Sequence, residues 1–311
     1  MVLECRIPIS CRPDFLNRTR LLAASIRQFY PDAIVRVYLG EPGGPTPGQI
    51  EQAQNALAGM GVEWINGPEF DAWKGTRSPY LATMNRRFKT PVAGDHVLIL
   101  DADVLCTARF DELFKVDAVQ GVQAHIQPIG DGEWRSLFYL SGMGPPQFKH
   151  VYSGGGIMAP RGRLGPFYPN SGVVFAPRHL FERLCKPYQE SIHLLRGAMP
   201  DTYWFDQLAL ALAAAKAGVP VRSLPLRYNF PNQAGFDYSH PAELADVRFI
   251  HYLRTDIVHR DHDFADVAAM ARLVHRRGLD ESNERLRLRV AELMTIFGDD
   301  TVRGLEDAPY A

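Results

Sequence analysis

At 311 residues the chain is long enough to bury a sizeable core, as one large domain or two ordinary ones. Its 46% apolar and 22% charged content is that of a soluble globular protein. A formal net charge of -1 removes the electrostatic case for nucleic acid or an anionic membrane surface, and no nucleic-acid-binding motif is present.

The opening MVLECRIPIS carries charge at Glu4 and Arg6 and lacks the long apolar centre of a signal peptide. CRIPIS reads as a short strand, NRTRLLAASIRQFYP as a helix ended by Pro31, and AIVRVYLG as a second strand closed by Gly40. PGQIEQAQNALAGMG predicts a helix with a glycine stop, VEWI a strand, SPYLATMNRRF another helix and HVLIL a fully apolar strand. Strands alternating with helices imply a parallel sheet covered on both faces. Such sheets bind ligands at the C-terminal ends of their strands.

Residues 126–169 are rich in Gly and Pro and read as long functional loops. SGVVFAP returns to strand, and DTYWFDQLALALAAAKAG predicts a helix capped by Asp201 or Thr202 and ended by Gly218. VPVRSLP and VRFIHYL are short strands, followed by two polar-faced helices, DFADVAAMARLVHRRG and ESNERLRLRVAELMTIFG. The apolar run LALALAAA stops at Lys216, too short to span a bilayer. Cys5, Cys11, Cys106 and Cys185 lie far apart, with no CxxC pair and no zinc-ligand spacing. They read as reduced thiols, so a cytoplasmic setting is expected.

The stretch LILDADVLC sets two aspartates, Asp101 and Asp103, at the end of the most buried-looking strand. In an extended segment side chains two apart point the same way, so the two carboxylates can converge. Like charges this close disfavour each other's ionisation unless something positive lies between them. Either a hard cation such as Mg²⁺ or Mn²⁺ belongs there, or the pair is two solvated loop carboxylates.

The ordered set LILDADVLC, FYPNSGVVFAP, YWFDQLALALA, LPLRYNFPN and FIHYL resembles the retaining glycosyltransferases of family 8 over roughly residues 1–255. The resemblance implies the GT-A fold, a Rossmann-like nucleotide-diphospho-sugar transferase αβα sandwich, here with a C-terminal helical extension. It implies a GT-A domain over 1–260 and the extension over 261–311. Through it, Asp101, Ala102 and Asp103 hold the donor. Asp101, Asp103 and His251 chelate a divalent ion, Mn²⁺ or Mg²⁺, although a lone histidine in VRFIHYL also reads as structural. Asn170 matches the asparagine facing the donor sugar, though PNSG is strong turn chemistry by itself. Asp206 and Gln207 match the acid–amide pair beside the transferred sugar, in a first helical turn where an acid also complements the dipole.

Arg86, with Arg87 as an equal candidate, aligns with the basic residue that contacts the donor, a solvated helix face being the alternative. Ser10, Cys11 and Arg12 follow the first strand, where the family holds the nucleoside. After His251 the family's lysine-proline-tryptophan motif is missing, and Arg254 or Arg260 is left to supply the charge. YSGGGIMAPRGRLGP reads as a mobile cover over the acceptor or a surface loop. The expected reaction moves a sugar from a nucleotide-diphosphate sugar, UDP-linked, to a saccharide, lipid-linked or protein acceptor with retention. Two rival readings are a nucleotide-sugar-binding module without turnover and a haloacid-dehalogenase-type phosphatase, which also begins from a strand followed by Asp-x-Asp.

In the tail, Phe264, Val267, Ala268 and Leu273, then Leu286, Val290, Leu293 and Met294, recur at helical spacing. The opposite faces carry RR at 276–277 and NERLRLR at 283–289. This predicts packing on the catalytic domain or in a homodimer. The competing reading, a helix peripheral to a membrane, is weakened by interleaved acids.

Overall fold

In the computed structural model the described residues are 1–41, 45–65, 85–154, 162–200, 202–253 and 257–296. A central seven-stranded sheet has the spatial order β10-β6-β9-β4-β1-β2-β3. In chain order its strands are β1 (Leu3–Ile9), β2 (Ile34–Leu39), β3 (Glu63–Ile65), β4 (His96–Leu100), β6 (Val119–Gln123), β9 (Pro169–Pro177) and β10 (Val221–Leu224). β1, β2, β3 and β4 are parallel, as are β6 and β10, while β9 runs antiparallel between β4 and β6. A three-stranded sheet pairs β11 (Phe230–Pro231), β12 (Phe249–His251) and β5 (Val104–Cys106), and β7 (His150–Val151) pairs with β8 (Leu164–Gly165).

Period two explains why β4 is apolar from Val97 to Leu100. Val97 and Ile99 belong to the core cluster on one face of the sheet, Leu98 and Leu100 to the cluster on the other. β9 splits likewise, Val174 and Ala176 against Val173 and Phe175. The helices Arg178–Ala198 and Phe205–Ala217 cover the Val97 face. The helix Pro13–Phe29, the small sheet and the tail helices Val267–His275 and Glu281–Ile296 cover the Leu98 face. The result is a three-layer αβα sandwich.

Two sequence expectations change, and one helix appears where the sequence reading assigned no element. Residues 126–169 are not wholly irregular, because Asp131–Leu140 is helical, with Glu133 accepting from the Gly130 N–H at 2.6 Å. The 21-residue helix Arg178–Ala198 hides behind Pro187, which sits inside it and breaks the local helix signal. Its apolar stripe of Leu180, Phe181, Leu184, Tyr188, Ile192 and Leu195 overrides that penalty by burial. In the tail Ala268 is exposed and its neighbours Ala269 and Met270 are buried instead. Gly218 does end its helix in the left-handed conformation, at φ 57°, while Thr202 accepts from the Trp204 N–H at 3.3 Å one turn upstream of the helix. Asp201 and most of SPYLATMNRRF lie outside the described residues.

Candidate active site

The strand ends build the site. Asp101 follows β4, but residues 101–103 form a turn rather than an extended run, because the chain leaves the main sheet to enter β5 in the small one. Asp101 N donates to Gly172 O at 3.1 Å, and Tyr252 N to Asp103 O at 2.9 Å. Register finishes the placement: β12 runs antiparallel to β5 with His251 opposite Val104, next to Asp103. One ligand atom each from Asp101, Asp103 and His251 lie within 4.8 Å of one another, so the three converge.

A hydrogen-bond chain fixes the histidine. The Gly172 N–H can only donate, so the Asn170 atom it meets at 2.9 Å is Oδ1. Asn229 Nδ2 donates to that same oxygen at 2.9 Å, turning its own Oδ1 towards His251 Nδ1 at 3.0 Å. Nδ1 therefore carries a hydrogen, which leaves Nε2 as the ring nitrogen facing Asp103 Oδ1, at 3.3 Å. Two acceptors at that distance repel unless a proton or cation lies between them. Asp101 Oδ1 is buried with no hydrogen-bond partner among the described residues. An imidazole nitrogen against a carboxylate, an orphaned carboxylate oxygen and an O/N donor set fit a divalent ion of the Mn²⁺ or Mg²⁺ kind.

Charge is divided unevenly across the pair. Burial, reinforced by Asp103, pushes the Asp101 carboxyl up to about 6 against the pull of Arg87 and His251. Burial alone would also raise Asp103, but His251 in its protonated form, Arg260 and Arg18 outweigh it and hold that group well below the usual carboxylate range. Arg260 Nη1 donates to Asp103 Oδ2. Arg260 thus stands where the sequence left a choice of cations, while Arg254 lies outside the described residues.

Asp206 and Gln207 open the helix Phe205–Ala217 and are each only 8% exposed. Asp206 Oδ2 and Gln207 Oε1 are buried acceptors with no partner among the described residues. Asp206 is near enough to Asp101 to raise it further. Buried acceptors left unpaired are costly, which suits them to hydroxyls of a ligand. Asn170 spends its Oδ1 on Gly172 and Asn229, leaving its Nδ2 to donate elsewhere.

Of the two arginine candidates, Arg86 binds the strand ends, donating to Leu39 O at 3.1 Å and Ile65 O at 3.2 Å. Arg87, 1% exposed, donates to Leu100 O at 3.5 Å and is the one whose charge acts on Asp101. At the end of β1, Ser10 Oγ donates to Glu41 Oε1 at 2.7 Å, and the Cys11 N–H donates to the same oxygen. Burial and Glu41 push the Cys11 thiol up to about 12, so it is no nucleophile. Arg12 turns to Asp14 at 3.0 Å. Ala102 is buried, and its carbonyl accepts from Tyr252 OH at 3.3 Å. Sequence reasoning missed Asn229, Arg18 and Glu41; only Asn229 left a signal, inside the LPLRYNFPN motif.

An αβα sandwich with this acidic turn at a strand end defines a glycosyltransferase of the GT-A fold, resembling family 8. Residues 12–218 match the family model of the Rhodobacterales glycosyltransferase domain, and the chain belongs to that family. The fold is shared with the galactosyltransferase LgtC, solved in complex with donor and acceptor sugar analogues. That match has 16% identity and a TM-score of 0.54, and covers 97% of this chain and 99% of that one. The apo glycosyltransferase GlyE of Streptococcus pneumoniae TIGR4 matches at 15% identity and TM-score 0.50, over 96% of this chain and 63% of that one. No curated protein matches the sequence.

Proposed function

We propose that the chain transfers a sugar from a nucleotide-diphosphate sugar, UDP-linked, to a saccharide-type acceptor, with retention of anomeric configuration and with Mn²⁺ or Mg²⁺. The observation that carries this reading is the convergence of Asp101, Asp103 and a His251 whose Nε2 faces Asp103. The chemistry of that donor set supports a cation held by the three side chains, and such an ion offsets charge on a departing diphosphate. Arg260, beside Asp103, takes the place of the family's lysine as the cationic diphosphate contact.

Asn170 Nδ2, Asp206 Oδ2 and Gln207 Oε1 then orient the hydroxyls of the transferred sugar, and Arg87 balances the negative charge of Asp101. Ser10, Cys11 and Arg12, at the end of β1, border the nucleoside. Retention brings the acceptor to the same face as the leaving diphosphate. The proposed setting is the cytoplasm. All four cysteines are free thiols, and among the described residues no helix is long and apolar enough to cross a membrane.

Calorimetry with UDP tests the metal reading. Asp103→Ala is expected to abolish Mn²⁺-dependent UDP binding while leaving the fold intact. UDP binding indifferent to EDTA and to this substitution overturns it. A screen of UDP- and GDP-sugars for Mn²⁺-dependent nucleotide release identifies the donor, and NMR of the product's anomeric configuration decides retention.

A further inference from the structure

Asp103 belongs to a closed circuit of alternating charge. Its Oδ2 accepts from Arg260, whose Nε lies 3.4 Å from Asp261 Oδ1. The same Asp261 oxygen lies 3.9 Å from Arg12 Nη2. Arg12 pairs with Asp14 at 3.0 Å, Asp14 with Arg18 at 2.6 Å, and Arg18 Nη1 lies 3.9 Å from Asp103 Oδ2, closing the ring. Three aspartates and three arginines alternate around it. They come from the turn after β4, the start of the Pro13–Phe29 helix and the start of the short helix Arg260–Asp263. Asp103, Asp14 and Arg18 are almost wholly buried, and Arg12 is the most exposed, at 49%. Among Asp103, Asp14 and Arg18 charges act on one another with little screening, while solvent damps the contribution of Arg12.

We propose that this ring is a positioning device that sets how strongly Asp103 binds a divalent cation. Arg12, Asp14, Arg18 and Asp261 act through Asp103 and do not touch the ion. The inference rests on the metal reading above. Alternation gives each member a sign. Asp14 and Asp261 draw Arg18 and Arg260 away from Asp103, so neutralising either aspartate leaves an arginine freer to occupy the carboxylate. Cation binding then weakens. Arg12 neutralises Asp14 and Asp261, so removing it lets them hold Arg18 and Arg260 more strongly. Asp103 is then released, and cation binding strengthens. A ring that braced the fold without acting on Asp103 would leave the Mn²⁺ affinity of folded variants unchanged.

The test is a nucleotide-free Mn²⁺ titration of the full chain, followed by electron paramagnetic resonance of the free aquo ion. Asp261→Asn and Asp14→Asn are expected to weaken Mn²⁺ binding about threefold, and Arg12→Gln to strengthen it about threefold. The double variant Asp261→Asn/Arg12→Gln should return close to the wild type. Should Asp14→Asn fail to fold, Asp261→Asn and Arg12→Gln carry the sign test by themselves, with circular dichroism confirming the fold. Folded variants that all shift in one direction, or none of which shifts, overturn the ring's role. A wild-type chain that binds no Mn²⁺ overturns the metal reading, and this inference with it.

Discussion

Gly172 is where the site has least room. A Cβ there would lie 2.5 Å from His251 Cε1, 2.7 Å from its Nδ1 and 2.8 Å from Asn170 Oδ1. The turn expected at PNSG is in fact the start of β9, and its glycine serves close approach rather than an unusual backbone angle. Gly172→Ala is therefore expected to displace the imidazole and weaken Mn²⁺ affinity by at least about tenfold, with the fold retained. Asn229→Ala removes the acceptor that orients His251 and should cost about 10- to 100-fold in the same titration. Unchanged affinity in both variants would separate His251 from the cation site.

Stability rests on whole elements packed together. Leu286, Val290, Leu293 and Met294 of the last helix are all buried in the same core cluster as Leu16, Leu22 and Ile26 of the first helix. Arg289, expected on the polar face, is instead 6% exposed and donates to Cys106 O at 2.8 Å, fastening the helix to β5. Leu293→Ala should destabilise by about 3 kcal/mol through lost contacts and the cavity left behind, read from urea unfolding. By the same packing, a chain ending at residue 260 should aggregate or melt earlier. A shortened chain that stays folded and active but no longer floats with liposomes would favour the membrane-peripheral reading instead.

For the molecule as a whole, acid sensitivity has an identifiable source in His125, beyond the end of β6. Ser153 Oγ donates to Gln123 O at 2.5 Å, so it accepts from His125 Nδ1 at 2.9 Å, and the imidazole is held neutral. Burial, with His251 and His240 nearby, lowers its pKa from the ordinary 6.5 to about 3. Below 6.5 the unfolded chain takes up a proton that the native state refuses, so stability falls as pH drops from 6.5 towards 3. The loss approaches about 1.4 kcal/mol per pH unit inside that window. His125→Gln should flatten this limb of the stability–pH curve while leaving the neutral value little changed. An unaltered slope would place the acid sensitivity elsewhere.

What local order can encode was legible in the sequence. A strand buried on both faces reads as HVLIL, a helix stop as Gly218, and a pair of aspartates at a strand end as DADV. Periodicity and turn chemistry depend only on neighbours a few positions apart. The same limit explains what was hidden: Pro187 masks the helix Arg178–Ala198, whose stability comes from burial against the sheet. Arg86 turns to the strand ends and Arg87 acts on Asp101, a division that neighbours in sequence do not encode. Arg260 meets Asp103 across 157 positions of chain, and His251 reaches it through the register of β5 and β12. Residue types announced a candidate cation site at a strand end. Which atoms face it, in which tautomer and against which counter-charges, was decided by the tertiary structure, because long-range packing and strand register set those contacts.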